Sequence, residues 1–286
     1  MDEQSFSSFT IFTGSSTPWL FTYRKPKRFC KPTSRQNCRY LSFNCIKVSW
    51  CVFFLVTVPV NVFSQSTIKS LHISQPEVLV NEALRYRMLS GAIEVGEMLV
   101  NINHDPRAGV LHITESTSGL FERTTTLLLQ KDSTLKVLAS HTIMTKESFS
   151  QEIQLLYKGE NITGTIVPPK TWGETRQINT PLSADVQDYY SVPYFLRSCA
   201  LQVNQVIKFP IYEAVRNRAE LARGWVVKLE EVETPVGKFT CYRVEGFTGK
   251  LRWILHFDKE FPHRLIKQKL PALSIEAELI AVAPTS

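Results

Sequence analysis

The sequence predicts a mainly β protein: a strongly curved antiparallel sheet, half-barrel or barrel-like, with one covering helix. Three observations lead there. Apolar residues recur with period two through most of the chain after residue 80, turn residues interrupt these runs at short intervals, and only one stretch carries helical spacing.

The first run alternates Leu84, Tyr86 and Met88 with Arg85 and Arg87. The next changes phase: Ile93 and Val95 point one way, and Met98, Val100 and Ile102 take the other parity, with Gly96 at the slip. A Gly inside a strand pattern marks a bulge, and a bulge lets a sheet curl. Leu111 and Ile113 form a short alternating pair. Leu135, Val137, Ala139 and Ile143 are expected to share a face, as are Ile153, Leu155 and Tyr157. Lys158-Gly159-Glu160-Asn161 reads as a turn into residues 162–167, which Pro168-Pro169 stops. The polar, proline-bearing stretch 170–182 is expected to be a loop.

The helix is expected over about residues 184–201. Tyr189 and Tyr190 begin it, Ser191 is placed to cap a second turn with Pro193 just inside, and Phe195, Leu196 and Cys199 continue an apolar face. A single helix in a β-rich chain covers a sheet, so packing is the expected role of its aromatics. Strands then return as Ile207, Phe209 and Ile211, followed by Trp225, Val227 and Leu229. Thr234-Pro235-Val236-Gly237 is a hairpin signal leading into residues 238–246. Leu251, Trp253, Leu255 and Phe257 form the clearest one-sided strand, and residues 265–270 and 273–282 finish the set.

Ahead of this pattern lies an acid-free stretch from Glu3 to Glu77, with a basic run (Arg24 to Lys47) before an apolar block at residues 48–63. A positive region, a short apolar region and the ending Val62-Phe63-Ser64-Gln65 make an export signal, with cleavage expected near Gln65. The block falls short of the roughly 20 apolar residues of a comfortable span, although retention as an anchor is the alternative. The lead is longer than ordinary signals, and a start at Leu41 would shorten it; an organelle transit peptide ranks below secretion. Residues 1–64 thus form an N-terminal extension and signal, and residues 65–286 a single β-rich envelope domain.

Charge divides along the same boundary. The formal charge is +6 over residues 1–64 and +1 over the remainder. The mature chain therefore has no global electrostatic case for nucleic acid or for acidic lipid. Four of the six cysteines fall in the lead; only Cys199 and Cys241 remain, and an oxidising compartment would permit them to pair. Two cysteines fix no framework, and burial as small hydrophobes is the preferred expectation.

The order of motifs resembles a known group. Gly91-Ala92-Ile93-Glu94-Val95-Gly96 is similar to its opening hairpin, and Asp188-Tyr189-Tyr190-Ser191-Val192-Pro193-Tyr194-Phe195-Leu196-Arg197 to its central helix motif. Glu231-Val232-Glu233-Thr234-Pro235-Val236-Gly237-Lys238-Phe239 resembles its hairpin signature, and Trp253 through Asp258 with Pro262 and Arg264 its closing strands. The group is the bacterial domain of unknown function 3108 family, and the resemblance covers about residues 75–282. It implies exported envelope proteins with a curved antiparallel sheet, similar in outline to lipoprotein carriers. It carries over no catalytic residues, and a likeness at the level of fold does not imply function.

Few residues suggest chemistry. His256 and Asp258 share a strand face, with His263 beyond the turn, a donor set suited to zinc or iron. That face lies opposite Trp253, Leu255 and Phe257 and carries Arg252, so a solvated strand face is expected and no metal is assigned. His104-Asp105 sits in a turn-like sequence. No Gly-x-Ser-x-Gly elbow and no Gly-rich phosphate loop occurs, and Glu230, Glu231 and Glu233 read as a solvated edge. Asn161-Ile162-Thr163 is a glycosylation sequon only in a eukaryotic source. Neither cofactor nor catalytic residue is assigned.

Arg197 prompts the one specific site. On the covering helix, near the concave face, it is placed to hold a carboxylate or phosphate headgroup while Trp225, Trp253 and Phe257 line an apolar cavity. An internal ion pair locking helix to sheet is the competing and preferred role. The leading function is a non-enzymatic exported protein that binds a lipid-like or amphipathic ligand in the concave face. A hydrolase acting on envelope material would need convergent polar groups there. A scaffold binding an envelope protein partner would show a concave face filled by its own side chains and an apolar patch outside.

Overall fold

The computed structural model describes residues 75–182 and 185–284, and its elements lie in one compact unit, Ile68–Ser286. The expected signal, its apolar block and the cleavage near Gln65 lie outside the described residues. Among the described residues no helix is long and apolar enough to cross a membrane.

Eight strands run outward in sequence order. They are β1 (Glu82–Ser90), β2 (Ile93–Asp105), β3 (Val110–Gly119), β4 (Glu122–Gln130), β5 (Val137–Lys146), β6 (Phe149–Lys158), β7 (Asn161–Val167) and β8 (Arg176–Pro181). A two-residue strand β9 (Gln187–Asp188), a 3-10 turn (Tyr189–Ser191) and the short helix α1 (Val192–Arg197) follow. The chain then returns through β10 (Val206–Glu213), β11 (Arg218–Thr234), β12 (Gly237–Thr248), β13 (Leu251–Asp258), β14 (Leu265–Leu270) and β15 (Ile275–Pro284). All belong to one 15-stranded sheet of order β8-β7-β6-β5-β4-β3-β2-β1-β15-β14-β13-β12-β11-β10-β9. Every ladder is antiparallel except the short β9–β10 pairing. The first and last strands therefore meet in the middle.

The predicted curl has the predicted cause. Opposite Met88 and Leu89 the register jumps from Gly96 to Glu94, leaving Val95 as the extra residue of a bulge. Gly96 is required there: its φ is +154°, and a Cβ would stand 1.8 Å from the Ser118 carbonyl oxygen. Further register breaks follow in β1, β4–β5, β11 and β13. The sheet does not close through a ladder, yet its far ends touch. Thr180 Oγ1 of β8 donates to Asn217 Oδ1 (2.7 Å), which also accepts from Tyr212 (2.6 Å), and Arg176 donates to the Val215 carbonyl (3.1 Å).

Inward positions of nearly every strand join one core, from Leu84, Tyr86 and Met88 in β1 to Ile275, Ala277 and Leu279 in β15. Trp253 shows how tightly it is fitted. Its ring lies over Gly224 and Gly246, where added Cβ atoms would stand 2.8 and 2.2 Å from it, and its Nε1 donates to Thr248 (3.1 Å). The two glycines create the slot for the indole.

Several expectations need correction. β4 and β8 are strands that the sequence pattern did not reveal, and β8 lies inside the stretch expected to be a loop. Leu135 precedes β5 in a left-handed turn (φ +46°), and a bulge puts Val137 on the core side while Ile143 faces out, 40% exposed. A register shift after Val226 likewise places Leu229 on the face opposite Trp225. The helix is much shorter than residues 184–201, and Ser191 does not cap it through its side chain. The capping carboxylate is Asp188, which accepts from the Tyr190 amide and starts the 3-10 turn.

Candidate functional site

The concave face is occupied by the chain's own segment around α1, fastened at three points. At one end Arg197, 2% exposed, pairs with Glu82 (2.6 Å) and donates to the carbonyls of Val78 (2.8 Å) and Pro262 (2.9 Å). Glu82 also binds Arg264 (2.7 Å). Burial pulls the Arg197 pKa down while the Glu82 carboxylate opposes it. All three partners come from the protein itself, so Arg197 acts as the internal lock.

In the middle, buried Asp188 accepts from Ser140 of β5 (2.8 Å), Tyr157 of β6 (2.6 Å) and the Tyr190 amide (2.8 Å). Burial pushes its pKa up, and these three donors partly offset that. At the other end Arg123 of β4 pairs with Glu115 of β3, and its guanidinium lies 5.0 Å from the Tyr190 ring centroid. Burial works against the Arg123 charge, and only Glu115 together with Tyr190, Tyr194 and Tyr189 outweighs it, leaving the pKa raised. Tyr194 of α1 donates to the same Glu115 (3.1 Å). Between these anchors Phe195 packs on Phe209, with ring centroids 4.7 Å apart.

Trp253 and Phe257 are on this side, as expected, but as packed core, 5% and 0% exposed. Trp225 is not with them. It stands on the convex face, 41% exposed, so the four residues proposed to share one cavity do not do so. Two concavities stand out. One is a shallow convex-face depression of about 200 Å³ near Ser116, Glu122 and Thr124, and the other a void of about 10 Å³ near Tyr157 and Val186. Neither has the size and enclosure of an apolar ligand chamber.

Cys199 and Cys241 are free thiols, both buried, and not a disulfide. Burial pushes each up to about 12. His256 is 3% exposed, not on a solvated face. It sits in a row of charged residues crossing the convex face in register: Glu97, Arg87, Glu278, Lys267, His256, Arg243 and Lys228. Neighbouring long side chains cover it, and its Nε2 meets Glu230 (2.7 Å). Burial lowers the His256 pKa, against the pull of Glu230. Glu230 is itself disfavoured by burial, but Lys228, His256 and Arg243 hold it down at about 2. Asp258 is buried too, and no group of three metal-binding side chains is found among the described residues.

The convex face over β10, β11 and β12 is different in kind. Trp225 and Phe247 meet edge to face, with centroids 6.3 Å apart. Val206 lies opposite Trp225, and Leu221 and Val227 extend the patch along β11. Lys208 and Arg223 are cross-strand partners within it, and among the described residues neither side chain has a hydrogen bond or ion pair. Lys208 was legible as the outward residue between Ile207 and Phe209. Phe247 was not, because β12 continues to Thr248, past the Gly246 at which its sequence pattern stops.

A family model described as "Protein of unknown function (DUF3108)" matches residues 85–256, within the span of about residues 75–282 that carries the resemblance. No curated protein and no solved structure matches the chain.

Proposed function

The chain belongs to the DUF3108 family, and from that premise we propose that it is a non-enzymatic, exported protein of the bacterial envelope that works by surface contact. The observation that carries this reading is the contrast between the two faces. The concave face, where a curved sheet would enclose a ligand, is filled by residues of the chain, and its charges face partners of its own. The densest inward polar set is Ser140, Tyr157 and Asp188, in which both hydroxyls already donate to the carboxylate. All three are buried, out of reach of a substrate, and that favours a structural hub over a hydrolytic site, which needs an accessible nucleophile beside its base. The convex patch around Trp225, by contrast, presents apolar and cationic groups with nothing of the described chain laid over them.

The test is native mass spectrometry of the full-length gene product from a bacterial host, with N-terminal sequencing and lipid extraction of the same sample. The expected result is a chain beginning near Gln65, free of stoichiometric lipid. One equivalent of a co-purifying amphipath, whose removal lowers the melting temperature, would instead require an enclosed ligand and overturn the surface-contact reading.

A further inference from the structure

We infer that the patch on β10–β12 is a docking surface for anionic phospholipid, resting on the surface-contact reading above. An outward strand face in a solvated antiparallel sheet is ordinarily polar. Here Val206, Leu221, Trp225 and Phe247 are 44%, 47%, 41% and 41% exposed. They surround Lys208 and Arg223, which stand directly opposite each other. Like charges so placed repel, and the nearby carboxylate does not relieve them, because Glu245 is bound by Arg243 and Arg252. Elsewhere on the convex face basic side chains meet acids, as Arg87 meets Glu278 and Lys267 meets Glu276.

The chemistry of the occupant follows from that composition. It must be anionic to complement two uncompensated cations, and it must accept an indole and a phenyl ring beside them. A second copy of the chain does not fit, because a two-fold pairing through this patch would set Lys208 and Arg223 against themselves. A bilayer surface bearing anionic headgroups fits both requirements. Phosphates meet the cations, and Trp favours the boundary between headgroup and acyl chain. From strand spacing and rise, the patch spans roughly 10 Å across its three strands and about 20 Å along β11.

The experiment uses the full chain, because its basic N-terminal stretch must be held constant while the patch is varied. Sedimentation is measured with phosphatidylglycerol–phosphatidylcholine vesicles and with phosphatidylcholine vesicles. The expected result is binding to the anionic vesicles that weakens with salt. Each of Lys208→Ala and Arg223→Ala should lower it about five-fold. A local readout separates the patch from the N-terminus, which carries Trp19 and Trp50: with both replaced by Phe, acyl chains brominated near the headgroup should quench a component of the remaining tryptophan emission, and Trp225→Phe should abolish that component. Unchanged circular dichroism and urea midpoint confirm that the variants fold. Vesicle binding that ignores all three substitutions, or quenching that survives Trp225→Phe, overturns the proposal. Binding to polyglutamate without binding to vesicles also overturns it and assigns the patch to an acidic protein. Failure of the unaltered chain to bind anionic vesicles, with a lipid-free interior, would sink only the lipid assignment, whereas stoichiometric interior lipid would sink the surface-contact reading itself.

Discussion

Replacing Arg197 by Ala tests the lock between helix and sheet. The substitution leaves Glu82, 2% exposed, without its buried cation, and leaves the Val78 and Pro262 carbonyls without this donor. Removing one member of a buried pair typically costs about 3–5 kcal/mol, and unsatisfied carbonyls keep the loss at the upper end. Arg264 still contacts Glu82 and its side chain is 28% exposed, so part of the carboxylate charge remains compensated. The expected loss is therefore about 4 kcal/mol, a fall in melting temperature of roughly 8–16 °C for a unit of this size. Urea unfolding followed by far-ultraviolet circular dichroism gives the free energy. Labelling of Cys199, two residues beyond Arg197 and buried, reports separately whether the α1 segment has come loose. Glu82→Ala should cost a similar amount. The double variant should lose less than the sum, with a coupling of about 2 kcal/mol. A loss below about 1 kcal/mol for Arg197→Ala, or strictly additive single losses, would refute the lock.

Three further outcomes are expected. Gly246→Ala would drive a methyl group into the Trp253 ring and should destabilise by about 1–3 kcal/mol, with a shift in near-ultraviolet circular dichroism; an unchanged melting curve would show that the slot is not tight. Asn217→Ala removes the acceptor of both Thr180 and Tyr212 and puts Ala at φ +49°, so amides of β8 should exchange faster while those of β1 do not; equal protection in both strands would refute the side-chain seam. For pH, Glu230 has a folded pKa of about 2 against an ordinary 4.5, so its contribution is present above about 4.5 and is lost as pH falls toward about 2. His256, lowered by burial, also favours the fold only while neutral, so stability falls as pH drops below its ordinary 6.5. Glu230→Gln should flatten the decline below pH about 4.5 in the urea midpoint, and an unaltered decline would refute its role.

The sequence showed the architecture better than it showed which side of the sheet a residue would take. Alternation and turn residues located β1, β2, β6, β10 and β13, and Gly96 correctly marked the bulge. β8 escaped because Ile178 is its only buried apolar residue, flanked by polar side chains and ending in Pro181. β4 runs from Glu122-Arg123 into Thr124-Thr125-Thr126, where one polar residue type serves both faces and hides the period. The helix was overextended because Val186, Val192, Phe195 and Leu196 are buried in a segment that is partly strand and partly 3-10 turn. Its shape is set by hydrogen bonds from distant strands to Asp188. His256 and Trp225 exchanged their expected environments. A row of long charged side chains buried the former on the outer face, while Trp253 took the glycine slot and left Trp225 outside. Such exchanges depend on contacts between strands remote in sequence, which local patterning does not contain.

The meeting of β1 with β15 fixes an order of assembly. Each meander, β1 to β8 and β10 to β15, can grow by hairpins between neighbours, but the seam joining them pairs Glu82 with Pro284, the two ends of the unit. Pairing at such separation is slow to form, and until it does β1 is a bare edge on the half synthesised first. The last strand thus works as a zipper. A chain cut after β14 would leave β1 and β14 with open sides separated by the width of one strand, shaped to capture the missing ten-residue peptide. The same topology makes the molecule divisible: cut in the α1 segment, it would yield two hairpin arrays that reassemble along the long β1–β15 ladder and the short β9–β10 pairing.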